Sequence, residues 1–143
     1  MSYSAISSQI VLAEDNPADV GLVREALREH NIVCNLHVIS DGEEVLAFID
    51  RLDADIQLPC PDLLLLDMSL PKYDGQHILK YLRASERCGR TPVVVLTGSQ
   101  FPADRELAEK LAAVHYFQKT CSLDQFLHLG TIVKKVISKK TVA

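Results

Sequence analysis

Residues 61–75 read PDLLLLDMSLPKYDG: four consecutive leucines, Leu63 to Leu66, run directly into Asp67 and then into a loop carrying Pro71 and Gly75. A continuous apolar run this short, bounded by turn residues, predicts a strand buried on both faces of a parallel sheet. Such a strand has no solvent side, so Asp67 falls at the carboxyl edge of the sheet. In open α/β sheets that edge is where ligands bind. An aspartate after a strand is also an ordinary turn former, so Asp67 gains weight only if other reactive groups reach the same edge.

Upstream, Gln9 to Ala13 is a short apolar run ending in Glu14-Asp15, a second strand that ends in acid. Asn16 suits a helix N-cap and Pro17 the first helical position. Val20, Val23 and Leu27, with Leu22 and Ala26, extend a helical stripe to about His30. Ile32 to Ile39 predicts a partly alternating strand nearer an edge. Asp41 and Glu44 resemble a capping box opening a helix through Leu52, and a polar connector over residues 53–61 leads into the leucine strand.

Downstream, Asp74 caps a helix bearing Ile78, Leu79 and Leu82, with Gly89 as its stop. Val93 to Leu96 is a second fully buried strand, closing on Thr97-Gly98-Ser99. Phe101 to Ala112 predicts a helix. Val114 to Gln118 predicts a fifth strand ending at Lys119. Leu123 to Ile137 predicts one amphipathic helix with lysines at its end, where cations meet the helix dipole favourably.

Strands alternating with helices five times imply a parallel sheet covered on both faces, because parallel strands need crossovers. Right-handed, doubly wound crossovers give a flavodoxin-like (βα)5 fold with strand order 2-1-3-4-5. That order delivers Glu14-Asp15, Asp67, Thr97 and Lys119 to one edge.

The 143 residues fit one domain, with a core at about 9–138 between short tails. A net charge of -4 gives no basic excess to attract nucleic acid or an anionic membrane. No basic start, signal-like core or bilayer-length apolar run is visible, so a soluble cytoplasmic protein is expected. Cys34, Cys60, Cys88 and Cys121 form no C-x-x-C pair and are expected as reduced thiols, with a disulfide left open. His30, His37, His77, His115 and His128 lack metal-ligand spacing and are expected to be surface or structural. No glycine-rich phosphate loop is present, which argues against a nucleotide or flavin site.

Three carboxylates at one edge repel. At about 4 Å and an effective dielectric near 20, each charge pair costs roughly 4 kcal/mol before relaxation. Either one acid takes a proton or a cation sits among them. An oxygen-only set favours a hard ion, with Mg2+ the abundant choice. Lys119 adds a movable cation and Thr97 a hydroxyl donor, both suited to phosphoryl oxygens. Singly, Lys119 is an ordinary surface lysine and Thr97 an ordinary strand-end residue. Together they suit in-line phosphoryl transfer onto a carboxylate.

On these residues the chain resembles a response-regulator receiver domain of two-component signalling. The matching features are Glu14-Asp15, Asp67 with its P-x-x-D-G loop (Pro71 to Gly75), Thr97 with Gly98, and Lys119. The resemblance implies that Asp67 is the phosphoacceptor, charged by a phosphohistidine on a sensor histidine kinase. It implies that Mg2+ is held by Asp15, Asp67 and the main-chain carbonyl of Ser69, and by Glu14 largely through water. It further implies that Thr97 and Lys119 hold the phosphoryl group, that Tyr116 is the switch aromatic, and that Ser69 and Ser99 tune the phosphate's lifetime. The segments EDNPADVGLVREAL and LHVISDGEEVLAFI, with the long connector before the leucine strand, are similar to small stand-alone regulators paired with phytochrome-type kinases. Output would be phosphorylation-dependent protein binding to a downstream partner that the sequence does not name, with a homodimer through the Tyr116 face among the expectations.

Two departures from that pattern stand out. Thr120 follows Lys119 where the family usually has a cis-proline, so this loop runs trans or carries strain. Ala112-Ala113 stands where Gly-Ala is common, so the turn is expected to lack its left-handed residue. Two other functions compete: a pseudo-receiver that binds partners without accepting phosphate, and a small aspartyl-phosphate phosphohydrolase. The second needs an acid close after the nucleophile, whereas Met68 and Ser69 follow Asp67, so no enzymatic turnover is expected.

Overall fold

The structure is a computed structural model that describes residues 7–98, 106, 109–110, 112–113, 115–119 and 122–141, with backbone alone at 139–141. The described chain runs β1 (Ser8–Ala13), α1 (Pro17–Glu29), β2 (Cys34–Ile39), α2 (Gly42–Ala54), β3 (Leu63–Asp67), α3 (Gly75–Arg83), β4 (Val93–Thr97), β5 (His115–Gln118), α4 (Leu123–Leu127) and α5 (Leu129–Thr141). The strands form one parallel sheet in the order β2-β1-β3-β4-β5, the doubly wound order expected.

Alternation along the strands divides the core in two. Val11, Ala13, Leu64, Leu66, Val93 and Val95 face α2 and α3, meeting Ile49, Leu52, Ile78 and Leu82. Ile10, Leu12, Leu63, Leu65, Val94 and Leu96 face the other way, onto Val23 and Leu27 of α1, Phe126 of α4, and Leu129 and Val133 of α5. Every residue of β3 and β4 is buried, which is why these strands read as unbroken apolar runs rather than alternating ones. Edge strand β2 alternates exposed and half-buried positions. Among the described residues no helix is long and apolar enough to cross a membrane.

Helix starts follow the sequence closely. The side chains of Asn16, Asp41 and Asp74 accept from the amides of Ala18, Glu44 and His77 at 2.9, 2.8 and 3.0 Å. Each satisfies a backbone donor that the first helical turn leaves orphaned.

Helix ends differ from the expectation in two places. α3 stops at Arg83, not at Gly89. The Arg83 guanidinium turns back to the carbonyls of Gly89 and Thr91, and Ser85 accepts from the Cys88 amide while donating to Asp53. These side-chain bonds offer the backbone an alternative to a further helical turn. The closing helix is likewise split, α4 ending before His128 and α5 starting after it. There the His30 ring nitrogen lies 3.0 Å from the Leu127 carbonyl oxygen. A Cβ at Gly130 would stand 2.6 Å from the Ala26 carbonyl oxygen, so α1 and α5 approach closely only because residue 130 is glycine.

The left-handed residue expected to be missing is present: Ala112 itself adopts φ 58°. For a non-glycine residue this costs about 1–2 kcal/mol. The Ala112 carbonyl accepts from Arg83 at 2.9 Å, which helps to hold the turn. The cysteine expectation is also corrected, since Cys60 and Cys88 form a disulfide with a Cα–Cα distance of 5.5 Å. It ties the connector before β3 to the turn before β4. Arg87 reinforces it by donating to the carbonyls of Leu52, Asp55 and Leu58. Cys34 is a half-buried free thiol. Cys121, Ser99, Thr120 with its peptide bond, and most of the helix expected over 101–112 lie outside the described residues.

Candidate functional site

At the carboxyl edge, the turn after β1 places Glu14 and Asp15 at different depths. The Glu14 amide donates to the Ile39 carbonyl at 3.0 Å, which continues the ladder with β2 by one residue. Its side chain is buried, and Oε2 accepts from the Asn16 amide at 3.2 Å. Asp15 is exposed. The turn into α1 thus sinks one acid and presents the other.

Asp67, the last residue of β3, is 3% exposed. Its Oδ1 accepts from the Ser69 amide at 3.0 Å, which orients the carboxylate, while the Ser69 residue as a whole is exposed. The loop closes where the Gly75 amide donates to the Met68 carbonyl at 3.1 Å. A Cβ at Gly75 would lie 2.6 Å from the Met68 sulfur and 2.7 Å from its Cα, so this close return needs glycine.

Thr97 ends β4 in a buried position, and its carbonyl accepts from the Lys119 amide at 2.7 Å. That bond fixes the Lys119 backbone beside β4. The Lys119 ammonium stands 2.6 Å from Glu14 Oε1, 2.9 Å from Asp19 Oδ2 and 3.3 Å from Asp67 Oδ2. Tyr116 pairs with Val95 across β4–β5 and packs against the α2–α3 core. Thr97 lies two residues beyond Val95, so Thr97 and Tyr116 belong to the same face of the sheet.

Electrostatically the site is short of positive charge. Burial, and then the neighbouring Asp67 carboxylate, push the Glu14 carboxyl from its ordinary value of 4.5 to about 7, against the opposing pull of Lys119. Burial alone would lower the Lys119 ammonium, but hydrogen bonds to Asp19 and Glu14 and the Asp67 charge outweigh it and raise it. Lys119 therefore stays charged, and Glu14 is the group that yields by taking a proton.

A cation fits this arrangement. Oxygens of Glu14, Asp15 and Asp67 lie within 4.8 Å of one another, and among the described residues the buried Glu14 Oε1 meets no donor but the Lys119 ammonium. An all-oxygen set of this kind suits a hard divalent ion.

The sequence-derived residues Glu14, Asp15, Asp67, Thr97 and Lys119 thus converge, with Tyr116 on the face of Thr97. Asp19 was not foreseen. An acid in the first turn of a helix reads as a partner for the helix dipole, and nothing local ties it to a lysine 100 residues away.

Comparison with known proteins agrees with this geometry. The family model for the response regulator receiver domain matches residues 10–129. Response regulator Rcp1 of Synechocystis sp. (strain ATCC 27184 / PCC 6803 / Kazusa) is 36% identical over 114 residues, covering 80% of this chain and 78% of Rcp1. The crystal structure of the phosphorylated cyanobacterial phytochrome response regulator RcpA superposes with a TM-score of 0.79 at 31% identity, covering 90% of this chain and 92% of that one. The Mn(2+)-bound form of Rcp1 gives a TM-score of 0.78 at 32% identity, with the same coverage. With its sheet order, acid cluster and lysine in place, the chain belongs to the response regulator receiver domain family, a family of signalling proteins.

Proposed function

We propose that this chain is a phosphorylation-controlled switch in which Asp67 accepts a phosphoryl group from a histidine kinase, with residues 9–138 acting as one receiver unit. The observation that carries the proposal is the Lys119 ammonium 3.3 Å from Asp67 Oδ2, at an edge where Glu14 and Asp15 also converge. An Asp67 oxygen attacks the phosphorus of phosphohistidine. The P–N bond breaks, and its electron pair leaves on the imidazole nitrogen. The hydrogen bond from the Ser69 amide holds the other Asp67 oxygen, leaving Oδ2 toward Lys119. Lys119 and the Thr97 hydroxyl then receive the phosphoryl oxygens, because fixed donors aimed at developing charge stabilise it without reorganisation.

Glu14, Asp15, Asp67 and the Ser69 carbonyl would hold Mg2+, which when bound neutralises charge on the transferring group. The Mn(2+)-bound Rcp1 structure supports a divalent ion at such a site. Tyr116, on the face of Thr97, is the proposed reporter: as Thr97 moves toward the phosphoryl group, Tyr116 takes up the space it leaves. The changed surface around Tyr116 would then bind a downstream protein or a second copy of the chain.

The relatives support one class of kinase. RcpA and the bacteriophytochrome response regulator RtBRR, the latter with a TM-score of 0.75 at 28% identity, favour a phytochrome-type histidine kinase as donor. The test is borohydride trapping after phosphotransfer. A phosphorylated Asp67 is reduced to homoserine, and peptide mapping locates it. Homoserine at position 67 is expected; trapping at another acid would overturn the assignment.

A further inference from the structure

Three carboxylates meet the Lys119 ammonium, and they are not equivalent. Glu14 and Asp67 belong to the set whose oxygens converge with those of Asp15. Asp19 stands outside that set, in the first turn of α1. Its contact is a full hydrogen bond, Lys119 Nζ donating to Asp19 Oδ2 at 2.9 Å. Glu14 Oε1 is nearer still, at 2.6 Å, but belongs to the set a cation would engage. The two side chains are mostly shielded, 16% exposed for Lys119 and 20% for Asp19. Pro17 at the helix start and the Asn16 cap fix the backbone from which Asp19 projects.

We propose that Asp19 is a positioning residue for Lys119, keeping its ammonium beside Asp67 when a divalent cation neutralises Glu14 and Asp67. The inference rests on the phosphoacceptor function proposed above. A cation among Glu14, Asp15 and Asp67 removes most of their pull on the lysine. Lysine carries its charge on a flexible four-carbon stem with large rotamer freedom. Asp19, outside the cation's set, keeps its full charge at that moment and holds the ammonium at the edge.

A double-mutant cycle with beryllofluoride, a stable mimic of the phosphoryl group, tests this in the presence of Mg2+. Asp19→Asn keeps the shape and an acceptor oxygen but removes the charge. It should weaken beryllofluoride binding about tenfold in the chain with Lys119, and leave affinity unchanged in the Lys119→Ala chain, as expected for residues in direct contact. Asp19→Glu should recover most of the loss. Where Lys119→Ala leaves too little affinity to measure, the same cycle on Mg2+ alone reads the coupling, since an unanchored Lys119 competes with the ion for Glu14 and Asp67.

An equal loss in both backgrounds would mean that Asp19 acts only through net charge, and would overturn the proposal. So would wild-type affinity in Asp19→Asn. A wild-type chain that binds Mg2+ but not beryllofluoride would overturn the phosphoacceptor function and this role with it. Beryllofluoride binding without coupling would remove Asp19 alone.

Discussion

Lys119 Nζ lies 2.6 Å from Glu14 Oε1, so the ammonium sits against the most deeply buried acid of the site. A divalent ion entering the cluster must displace that contact or share the acid with it. Lysine and metal therefore compete for Glu14 while cooperating on the phosphoryl group. Lys119→Ala should accordingly bind Mg2+ more tightly, by about tenfold, and lose phosphorylation. Isothermal titration beside a phosphorylation assay checks both. Weaker Mg2+ binding in the variant would show that Lys119 organises the acids and does not compete for them.

Stability should depend on pH through Glu14. Its folded value of about 7 lies above the ordinary 4.5, so between these values the folded state holds a proton that the unfolded chain has lost. Stability from this group thus falls as pH rises through that window and is flat above it, a change on the order of 3 kcal/mol. Lys119 is raised, so its own contribution is full throughout this range. Urea unfolding of metal-free protein at pH 5 and pH 7.5 should show the loss in the wild type and its absence in Glu14→Gln. Mg2+ should stabilise the wild type more at the higher pH, where Glu14 is ionised without it.

The Cys60–Cys88 bond closes a loop across a sequence separation of 28. On the chain-entropy account a loop of that size contributes about 3–4 kcal/mol. For a chain of this length that corresponds to roughly 10 °C in melting temperature. Thermal unfolding with and without a thiol reductant should show this shift in the wild type and none in Cys88→Ser. A reductant-insensitive wild type would contradict it.

Gly130→Ala tests the close approach of α1 and α5. Helix propensity alone would favour alanine, but the added Cβ meets the Ala26 carbonyl and the His30 ring. Destabilisation of about 1–3 kcal/mol is expected in denaturant titration. Adding His30→Ala should recover only part of it, because the Ala26 oxygen belongs to the backbone.

What the sequence made legible was local or periodic. Asn16, Asp41 and Asp74 announce helix starts because each bonds an amide within three residues. Glu14, Asp67, Thr97 and Lys119 converge because strand ends in a parallel sheet share one edge. What escaped was fixed by contacts between distant segments. Asp19 meets Lys119, Cys60 meets Cys88, and His30 reaches the Leu127 carbonyl, each across a separation that no pattern marks. The early end of α3 is of the same kind, since Ser85 donates to Asp53 and Arg83 to the Ala112 carbonyl. Ala112 shows the converse, a left-handed turn kept without the glycine that would have announced it.

The central claim is that Asp67 accepts a phosphoryl group with the help of a divalent ion. Intact-protein mass after incubation with Mg2+ and acetyl phosphate tests it most directly. The predicted result is a gain of one phosphoryl group in the wild type, absent without Mg2+ and absent in Asp67→Asn, whose fold is retained. No gain in the wild type, together with no binding of beryllofluoride, would contradict the claim and leave a receiver fold that binds its partners without being phosphorylated.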